Sequence, residues 1–490
     1  MDAPDSQSPA GTSRDWVFWS LLAAAVISRL VWVVWVHPPR DHVFSDMAHY
    51  VHRARLVASF EVHAGMREMV WQAWGTHALL AIPMLLMGPG ESALEFAGLV
   101  WAGCSAATVV LGYQLGLRTL GGAGKPSSRN TRWLAAGLGL VLLVWIPLLS
   151  HTGFFISETP YTCVLLAMTL AIVRLIQDGR GALGAGIWAA LAFVLRPQSA
   201  VFLLMLGAVW LLDRRHHDAH GIRGTWSRRV DGRAALLFSL PLALALAISV
   251  VRVRVYTGSF GAMAENGSMN LTAGRCHNIV TRSYPSQAAL ESARQTGSPV
   301  ADRRISLPGF RALGREGPDH PLALRPALGG ESIDLVGYIG DAAVHREIRQ
   351  RCYAATGIAG QLRYAITNTA LLWVVARPWP ESSDRWAPEL LPLAVRGRDL
   401  AALLAPLCVA GMIFALLGWG LARPARPSAQ HERQACLGVC ALQLLSILVI
   451  SAVFFGTPRL RVPYDPFALL LALALVSWAT TRLAHRLRQD

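Results

Sequence analysis

Long apolar segments recur along this chain and constrain its fold more than any other feature. A helix needs about 20 mostly apolar residues to cross the hydrocarbon core of a bilayer. Hydrophobic residues make up 53% of the chain and charged residues only 15%, whereas ordinary soluble domains are about 25% charged. This pattern predicts an all-α polytopic membrane protein. It excludes a disordered chain, a fibrous repeat and most soluble enzymes.

About ten segments are apolar and long enough to be predicted as transmembrane helices. They are Trp16–Val36, Leu94–Leu117, Trp133–Leu149, Thr159–Ile176, Ala182–Leu195, Ser199–Leu212, Ala234–Val251, Leu400–Leu421, Cys436–Phe455 and Phe467–Thr481. The first segment lacks a small-residue cleavage site and lies far from the N-terminus. We therefore predict a retained helix there rather than a cleaved signal peptide.

The basic residues predict the orientation of the chain. The formal net charge is +15. If the N-terminus is cytoplasmic, most of the excess falls in cytoplasmic segments 118–132, 214–233, 423–433 and 482–488, as the positive-inside rule requires. We therefore expect a multi-pass protein of a bacterial inner membrane with both termini in the cytoplasm. The same rule accounts for the charge without nucleic acid as a partner.

Two apolar stretches are short for a membrane crossing. His77–Gly88 covers about half a bilayer, which predicts an interfacial or re-entrant helix. The pair Ala182–Leu195 and Ser199–Leu212 is also short, about 21 Å per arm at 1.5 Å per residue. The connection between these arms, Arg196-Pro197, should then lie below the outer surface. A charge at that depth should face a cavity rather than lipid.

This topology divides the chain into three parts. Residues 1–255 form an N-terminal membrane module with a large outer loop at 37–91, in which we expect interfacial helices. An extracytoplasmic insertion, expected to be α-rich, covers 256–399. Three further transmembrane helices follow in 400–490. The insertion contains Cys276 and Cys352, two of the seven cysteines; an oxidising compartment would permit a disulfide, and two free thiols are the alternative.

Acidic residues are scarce near the predicted membrane segments, so two exceptions carry information. Asp46 directly follows Ser45 at the start of a predicted helix, and Glu158 follows Ser157 in the same way. Each serine is a plausible helix cap, and each acid is favoured near the positive end of a helix. Both acids could be ordinary first-turn residues. The topology nevertheless places both on the outer side of the membrane.

Three arginines fall on that same side: Arg196, Arg459 and Arg461. Arg459 and Arg461 lie in a proline-rich turn between two apolar helices. An interfacial turn with snorkelling arginines is one interpretation. Two carboxylates near several guanidinium groups also suit a reaction that releases an anionic leaving group.

Several motifs together resemble the GT-C membrane glycosyltransferases, in particular the protein O-mannosyltransferase and aminoarabinose-transferase (ArnT-like) group. An acid after the first helix is followed by Tyr50 and an interfacial helix. The other matching stretches are Trp74-Gly75-Thr76 through Met87-Gly88, Ile156-Ser157-Glu158-Thr159-Pro160, Leu195-Arg196-Pro197, the Asn266–Gly274 patch and Arg459 through Pro466. The relatives often carry two adjacent acids in the first loop. Here Asp46 stands between Ser45 and Met47.

The resemblance implies an inverting glycosyltransferase that uses a polyprenyl-phosphate-linked sugar as donor. The acceptor would be a hydroxyl of an envelope glycan, a lipid or a protein at the outer face. Asp46 would be the general base, and Glu158 would orient the acceptor or hold a divalent cation, Mg²⁺ or Mn²⁺. The residues implied to bind substrate are Tyr50, Arg196, Arg459 and Arg461.

Two other functions remain open from the residues. A lipid-linked glycan ligase or polymerase would rely on outer arginine and histidine residues instead of a catalytic carboxylate. A lipid or sugar transporter, such as a flippase, would be expected to contain inverted repeats and broken helices near the membrane midplane. The two halves of this chain show no convincing repeat.

Overall fold

A computed structural model describes residues 15–121, 128–220, 230–276, 280–296, 303–306, 332–338, 340–373, 380, 388–421 and 429–489. Parts of the predicted cytoplasmic loops, including Lys125 and residues 223, 228, 229, 423 and 426, lie outside the described residues.

Helices follow one another through the N-terminal module. In chain order they are α1 (Trp16–Val31), α2 (Asp46–Ala58), α3 (Gly75–Met87), α4 (Glu91–Gly121), α5 (Arg129–Val144), α6 (Ile146–Thr152), α7 (Glu158–Asp178), α8 (Ala182–Leu195), α9 (Ser199–His220) and α10 (Gly232–Thr257). A π-helical turn, Trp32–Val36, extends α1.

The insertion contains both helices and strands. Its elements are α11 (Gly267–Cys276), β1 (Val280–Tyr284), α12 (Gln287–Thr296), β2 (Arg303–Ser306), β3 (Ser332–Val336) and α13 (Ala342–Ala370). The three strands form a sheet in the order β2-β1-β3, with β2 antiparallel and β3 parallel to β1. The α-rich character expected for the insertion is present, but the sequence analysis did not predict this sheet.

The C-terminal part consists of α14 (Leu391–Leu421), α15 (Ala429–Val453), the short α16 (Pro458–Arg461) and α17 (Asp465–Arg486). Among the described residues, seven helical segments are long and apolar enough to cross a membrane, or eight if the bent α5–α6 pair is one span. The chain is therefore a predominantly α-helical, multi-pass membrane protein. The count of ten crossings stays a prediction, because α8 and α9 are not among these segments and α8 is only 14 residues long.

The break between α5 and α6 explains a charge buried in the membrane part. Pro147 lies in the first turn of α6 and the two helices meet at 48°. Because Pro147 has no N–H, the Leu143 carbonyl loses its helical partner. The buried Arg29 of α1 donates to the carbonyls of Leu143 (2.5 Å) and Leu142 (3.2 Å). This arginine therefore satisfies backbone groups that the break exposes.

The first-loop helix α2 packs against the bundle through one apolar face. Met47, Tyr50, Val51 and Ala54 of α2 are buried in one cluster with residues of α3 and α4. The α3 helix lies on the membrane bundle at the end of α8. A Cβ on Gly75 would be 2.8 Å from the backbone of Val194 and Leu195, so only glycine allows this approach. The N-terminus of α3 is thereby held next to Arg196.

Candidate active site

Asp46 is the first residue of α2 and follows a strained residue. Ser45 has φ 48° and ψ −125°, a conformation that residues other than glycine rarely adopt. Its side chain makes no capping hydrogen bond to α2, so the predicted Ser45 cap is wrong. Strain of this kind costs on the order of 1–3 kcal/mol and clusters at functional sites. The strained turn fixes the direction in which α2, and with it Asp46, leaves the loop.

Arg459 connects the two predicted acids. Its Nη1 donates to Asp46 Oδ2 at 2.8 Å, and its Nε donates to Glu158 Oε1. A further hydrogen bond runs from Arg459 Nη2 to Glu158 Oε2 at 3.4 Å. Arg196 Nη1 forms a second ion pair with Glu158 Oε1 at 2.8 Å. Four predicted site residues from α2, α7, α16 and the turn after α8 thus meet in one cluster.

The two acids differ in accessibility, and this difference separates their roles. The Glu158 side chain is 0% exposed and the Asp46 side chain 31% exposed. Ser157, predicted to cap α7, makes no capping bond and instead donates weakly to Glu158 Oε2 (3.4 Å). Asp46 is therefore partly accessible from outside the protein, whereas Glu158 is enclosed and paired with Arg459 and Arg196.

A polar chain extends from Asp46 along the first loop. Gln72 Nε2 donates to Asp46 Oδ1 at 3.1 Å, and Arg53 Nη2 donates to Gln72 Oε1. Tyr50 is buried beside them, with its ring centroid 5.3 Å from Arg53 Cζ. Burial, with a smaller contribution from nearby Asp46, raises the pKa of Tyr50. A neutral Tyr50 hydroxyl is thus maintained beside the acid.

Sequence reasoning missed Gln72 and Arg53. Arg53 is seven residues after Asp46, which places both on one side of α2, so helical spacing was a usable signal. Gln72 lies in an irregular segment before α3, and no sequence pattern indicated its contact with Asp46. Only the fold brings that segment to α2.

The structure places Arg461 away from this cluster. Its side chain is 0% exposed and donates from Nε to Asp465 Oδ1 at 2.8 Å. Its Nη1 donates to the Leu372 carbonyl at 3.2 Å, and its Cζ lies 5.0 Å from the Trp373 ring centroid. Trp145 Nε1 also donates to Asp465 at 2.8 Å. Among the described contacts, Arg461 thus belongs to a buried structural ion pair and does not join Asp46 and Glu158.

Two tyrosines stabilise the turn that carries Arg196. The Tyr161 and Tyr464 hydroxyls are 3.0 Å apart, and Gln198 Nε2 donates to Tyr464 at 3.2 Å. Arg196 Cζ lies 5.7 Å from the Tyr161 ring centroid. The side chain of Arg196 is only 13% exposed. The predicted position of Arg196, facing a polar interior rather than lipid, agrees with these contacts.

Unsatisfied donors collect at the N-terminus of α3. Thr76 Oγ1, Arg53 Nε and Arg252 Nη1 are buried donors with no hydrogen-bond partner among the described residues, and His77 Nδ1, which donates in only one tautomer, has none there either. Arg53 and Arg252 also donate to neighbouring carbonyls, those of Glu68 (3.3 Å) and Met69 (2.8 Å). Buried donors without partners are costly, and a helix N-terminus favours anions. This arrangement suits a phosphate group.

The electrostatics of this donor cluster support an anion. Burial, followed by the charges of Arg53 and Arg252, holds the pKa of His77 well below its usual value. No acidic group is among the causes of that shift. The two guanidinium groups are thus close enough to affect His77 and each other. We did not predict Thr76, His77 or Arg252 as site residues from the sequence.

The divalent cation expected at Glu158 stays a prediction. Among the described residues, no group of three or more His, Cys, Asp or Glu side chains converges. Oxygens of both Asp46 and Glu158 accept from Arg459. We derive no step through a metal.

Within the insertion, Cys276 and Cys352 form a disulfide with Cα atoms 5.4 Å apart. The bond joins the end of α11 to the middle of α13. The remaining cysteines of the chain are free thiols.

These features define a multi-pass membrane protein with a charged, partly accessible site built from distant segments. No protein-family model and no curated protein match the chain. Solved structures show distant likeness. The oligosaccharyltransferase AglB from Archaeoglobus fulgidus, in complex with an inhibitory peptide and a dolichol-phosphate, aligns with 96% of this chain at 11% identity and a TM-score of 0.46.

ArnT from Cupriavidus metallidurans bound to undecaprenyl phosphate aligns with 94% of the chain at 13% identity and a TM-score of 0.37. The chain spans 51% of the AglB chain and 76% of the ArnT chain. At these values, the likenesses do not assign the chain to a family, and the functional argument below rests on the site itself.

Proposed function

We propose that this protein is an inverting glycosyltransferase that moves a sugar from a polyprenyl-phosphate carrier to a hydroxyl group. The observation that carries the proposal is the ion pair between Arg459 and the partly exposed Asp46, with Glu158 buried behind it. A partly exposed carboxylate near arginines and other donors suits a transfer with a phosphate leaving group. The motif resemblance described above points to the same reaction.

Asp46 is the general base in this mechanism. It takes the proton of the acceptor hydroxyl, whose oxygen forms a bond to the anomeric carbon. The bond from that carbon to the phosphate oxygen breaks at the same time, and the phosphate keeps the electron pair. Attack from the face opposite the phosphate inverts the configuration. Gln72 and Arg459 each engage one oxygen of Asp46, which fixes the direction of the carboxylate.

The donor phosphate binds at the N-terminus of α3. Thr76, His77, Arg53 and Arg252 supply the unsatisfied donors there, and the two arginines balance charge that develops on the phosphate. Arg53 is connected to Asp46 through Gln72, so base and leaving-group site share one network. Arg196 and Tyr50 lie beside this network and complete the wall of the site.

Glu158 is a positioning residue in this scheme. It is buried and pairs with Arg459 and Arg196, so it holds two guanidinium groups near the reacting atoms. This differs from the role implied by the resemblance, in which Glu158 contacts the acceptor or a cation. The proposal specifies the acceptor only as a molecule that carries a hydroxyl group. This molecule can be a glycan, a lipid or a protein.

The proposed setting is a bacterial inner membrane, with cytoplasmic termini and the site on the outer side. The bilayer then holds the polyprenyl tail while the sugar enters the site. Transfer would be measured with purified protein in detergent, a series of polyprenyl-phosphate sugars and envelope-derived acceptors. The proposal is supported if the wild type turns over without a membrane gradient and if Asp46→Asn loses this turnover. Retained turnover in Asp46→Asn, with loss in an Arg461→Ala variant that is as stable as the wild type, would favour a ligase. The absence of turnover with any donor would favour a transporter.

A further inference from the structure

The end of α15, just before Arg459, is capped by the insertion. The last carbonyls of a helix lack helical donors. Arg275, near the end of α11, donates from Nε to the Val453 carbonyl at 2.8 Å and from Nη2 to the Ala452 carbonyl. Gln361 of α13 in turn donates to the Arg275 carbonyl at 2.9 Å. Two helices of the insertion thus determine where α15 ends.

The turn between α15 and α16 also contacts the insertion backbone to backbone. Asn368 Nδ2 donates to the Phe454 carbonyl at 3.3 Å and to the Gly274 carbonyl at 3.1 Å. A Cβ on Gly456 would overlap the Asn368 carbonyl, and a Cβ on Gly274 would overlap the Phe454 carbonyl. Glycine at both positions therefore permits a contact that larger residues would break.

The same segment of the insertion contacts the chain on the other side of Arg459. Leu372 and Trp373 directly follow α13. The Leu372 carbonyl accepts from Arg461 Nη1 at 3.2 Å, and the Trp373 ring lies under the Arg461 guanidinium. Residues 368–373 therefore touch the backbone before Arg459 and the side chain after it.

The two helices that make these contacts are joined to each other. The Cys276–Cys352 disulfide connects α11 with α13, and both cysteines are buried with Ile348. Arg349 Nη1 also donates to the Ser268 carbonyl at 2.9 Å. Because α11 and α13 are cross-linked, they support the Arg459 turn as one unit.

We propose that this unit is a clamp, formed by Arg275, Asn368, Leu372 and Trp373, that positions the Arg459 guanidinium between Asp46 and Glu158. Arg275 and Asn368 are positioning residues, because they act on the backbone that carries Arg459. The consequence for catalysis rests on the proposed function. The effect of the clamp on the position of Arg459 does not rest on the proposed function, since it is measured without substrate.

Hydrogen–deuterium exchange of the full-length protein in detergent tests the positional effect. Asn368→Asp keeps the shape of the side chain and removes its donor. We expect faster exchange in residues 457–464 and unchanged exchange in 158–178. Thr369→Val is the matched control, because the Thr369 hydroxyl bonds only within α13, to the Ala365 carbonyl at 3.0 Å. Unchanged exchange in 457–464, or an increase throughout the protein, would overturn the clamp.

Arg275→Gln provides a second test at the other end of the clamp. It should give the same local increase in exchange. If Asn368→Asp and Arg275→Gln both fail to fold while Thr369→Val folds, the contacts serve folding and the proposal is overturned. This result leaves the proposed function untouched, because Asp46 is not involved.

Transfer activity tests the catalytic consequence. A misplaced guanidinium should lower kcat on the order of 10- to 100-fold in Asn368→Asp. In an Arg459→Lys background, Asn368→Asp should add little, because residues that act through one group are not additive. If the losses of kcat caused by Asn368→Asp and Arg459→Lys multiply fully in the double variant, the coupling between Asn368 and Arg459 is overturned. If Asn368→Asp shows faster exchange in residues 457–464 but the wild type shows no measurable turnover, the proposed function is contradicted. The clamp proposal then still stands.

Discussion

The Arg459 guanidinium lies 2.8 Å from the Asp46 carboxylate, although the two residues are 413 positions apart in the chain. One comes from the first turn of α2 and the other from the short α16. Their contact closes the site between the N-terminal module and the C-terminal helices.

Asp46→Asn should abolish most of the transfer activity. The asparagine keeps the shape of the side chain, but its single oxygen can accept from only one of Gln72 and Arg459, and it cannot take the proton of the acceptor hydroxyl. Loss of a general base typically costs about 10²- to 10⁴-fold in rate. Steady-state transfer by purified protein measures this, with donor binding followed separately. A variant with wild-type kcat would exclude Asp46 as the base.

Glu158→Gln should reduce activity for a different reason. The isosteric amide leaves Arg459 and Arg196 without their shared negative partner, so both guanidinium groups shift. Misplacement by about 1 Å can cost on the order of 100-fold. We expect kcat to fall while the acceptor KM stays close to wild type. A selective rise in the acceptor KM would indicate that Glu158 contacts the acceptor directly.

Arg252→Gln should weaken donor binding. Arg252 offers an unsatisfied Nη1 in the donor cluster at α3. Loss of one charge-assisted hydrogen bond costs about 1.5–3 kcal/mol, which corresponds to roughly 10- to 150-fold in affinity. Binding of polyprenyl phosphate by the purified protein measures this. Arg254→Gln, two residues further along α10, is the control, because the Arg254 guanidinium lies 5.0 Å from the Phe260 ring centroid. Equal effects of the two variants would contradict a phosphate site.

Arg461→Leu should destabilise the protein through Asp465. Removal of one partner from a buried ion pair costs about 3–5 kcal/mol, because the remaining charge is left unpaired. The double variant Arg461→Leu/Asp465→Asn should recover part of that loss. Thermal unfolding in detergent measures both. If Arg461→Leu is as stable as the wild type but inactive, Arg461 binds substrate as the sequence implied.

Much of the fold and part of the site were predictable from the sequence. The apolar runs gave the long helices, because a membrane crossing imposes length and composition on a segment. Arg196-Pro197 gave the end of α8, because a residue before proline is driven to extended backbone, and Arg196 has φ −148° and ψ 111°. Because acids are scarce near the predicted membrane segments, Asp46 and Glu158 could be identified as candidate site residues.

Other features depended on long-range contacts that no local pattern encodes. Arg459 and Arg461 are two residues apart and chemically identical, yet one joins the acids and the other pairs with Asp465. Ser45 and Ser157 match the pattern of helix caps, yet neither caps its helix. Gln72, Arg252 and the donors at α3 are recognisable only from their surroundings.

The sequence by itself thus determined the multi-pass helical architecture, the end of α8 at Arg196-Pro197 and the two acids, but not the break between α5 and α6 inside the predicted segment Trp133–Leu149. These properties follow from segment composition and backbone chemistry, which act over a few residues. The tertiary structure decided which charge meets which, because a guanidinium pairs with whatever carboxylate the packed helices bring within about 4 Å. That choice placed Arg459 with Asp46 and Glu158, and left polar atoms of Thr76, Arg53 and Arg252 without a hydrogen-bond partner among the described residues.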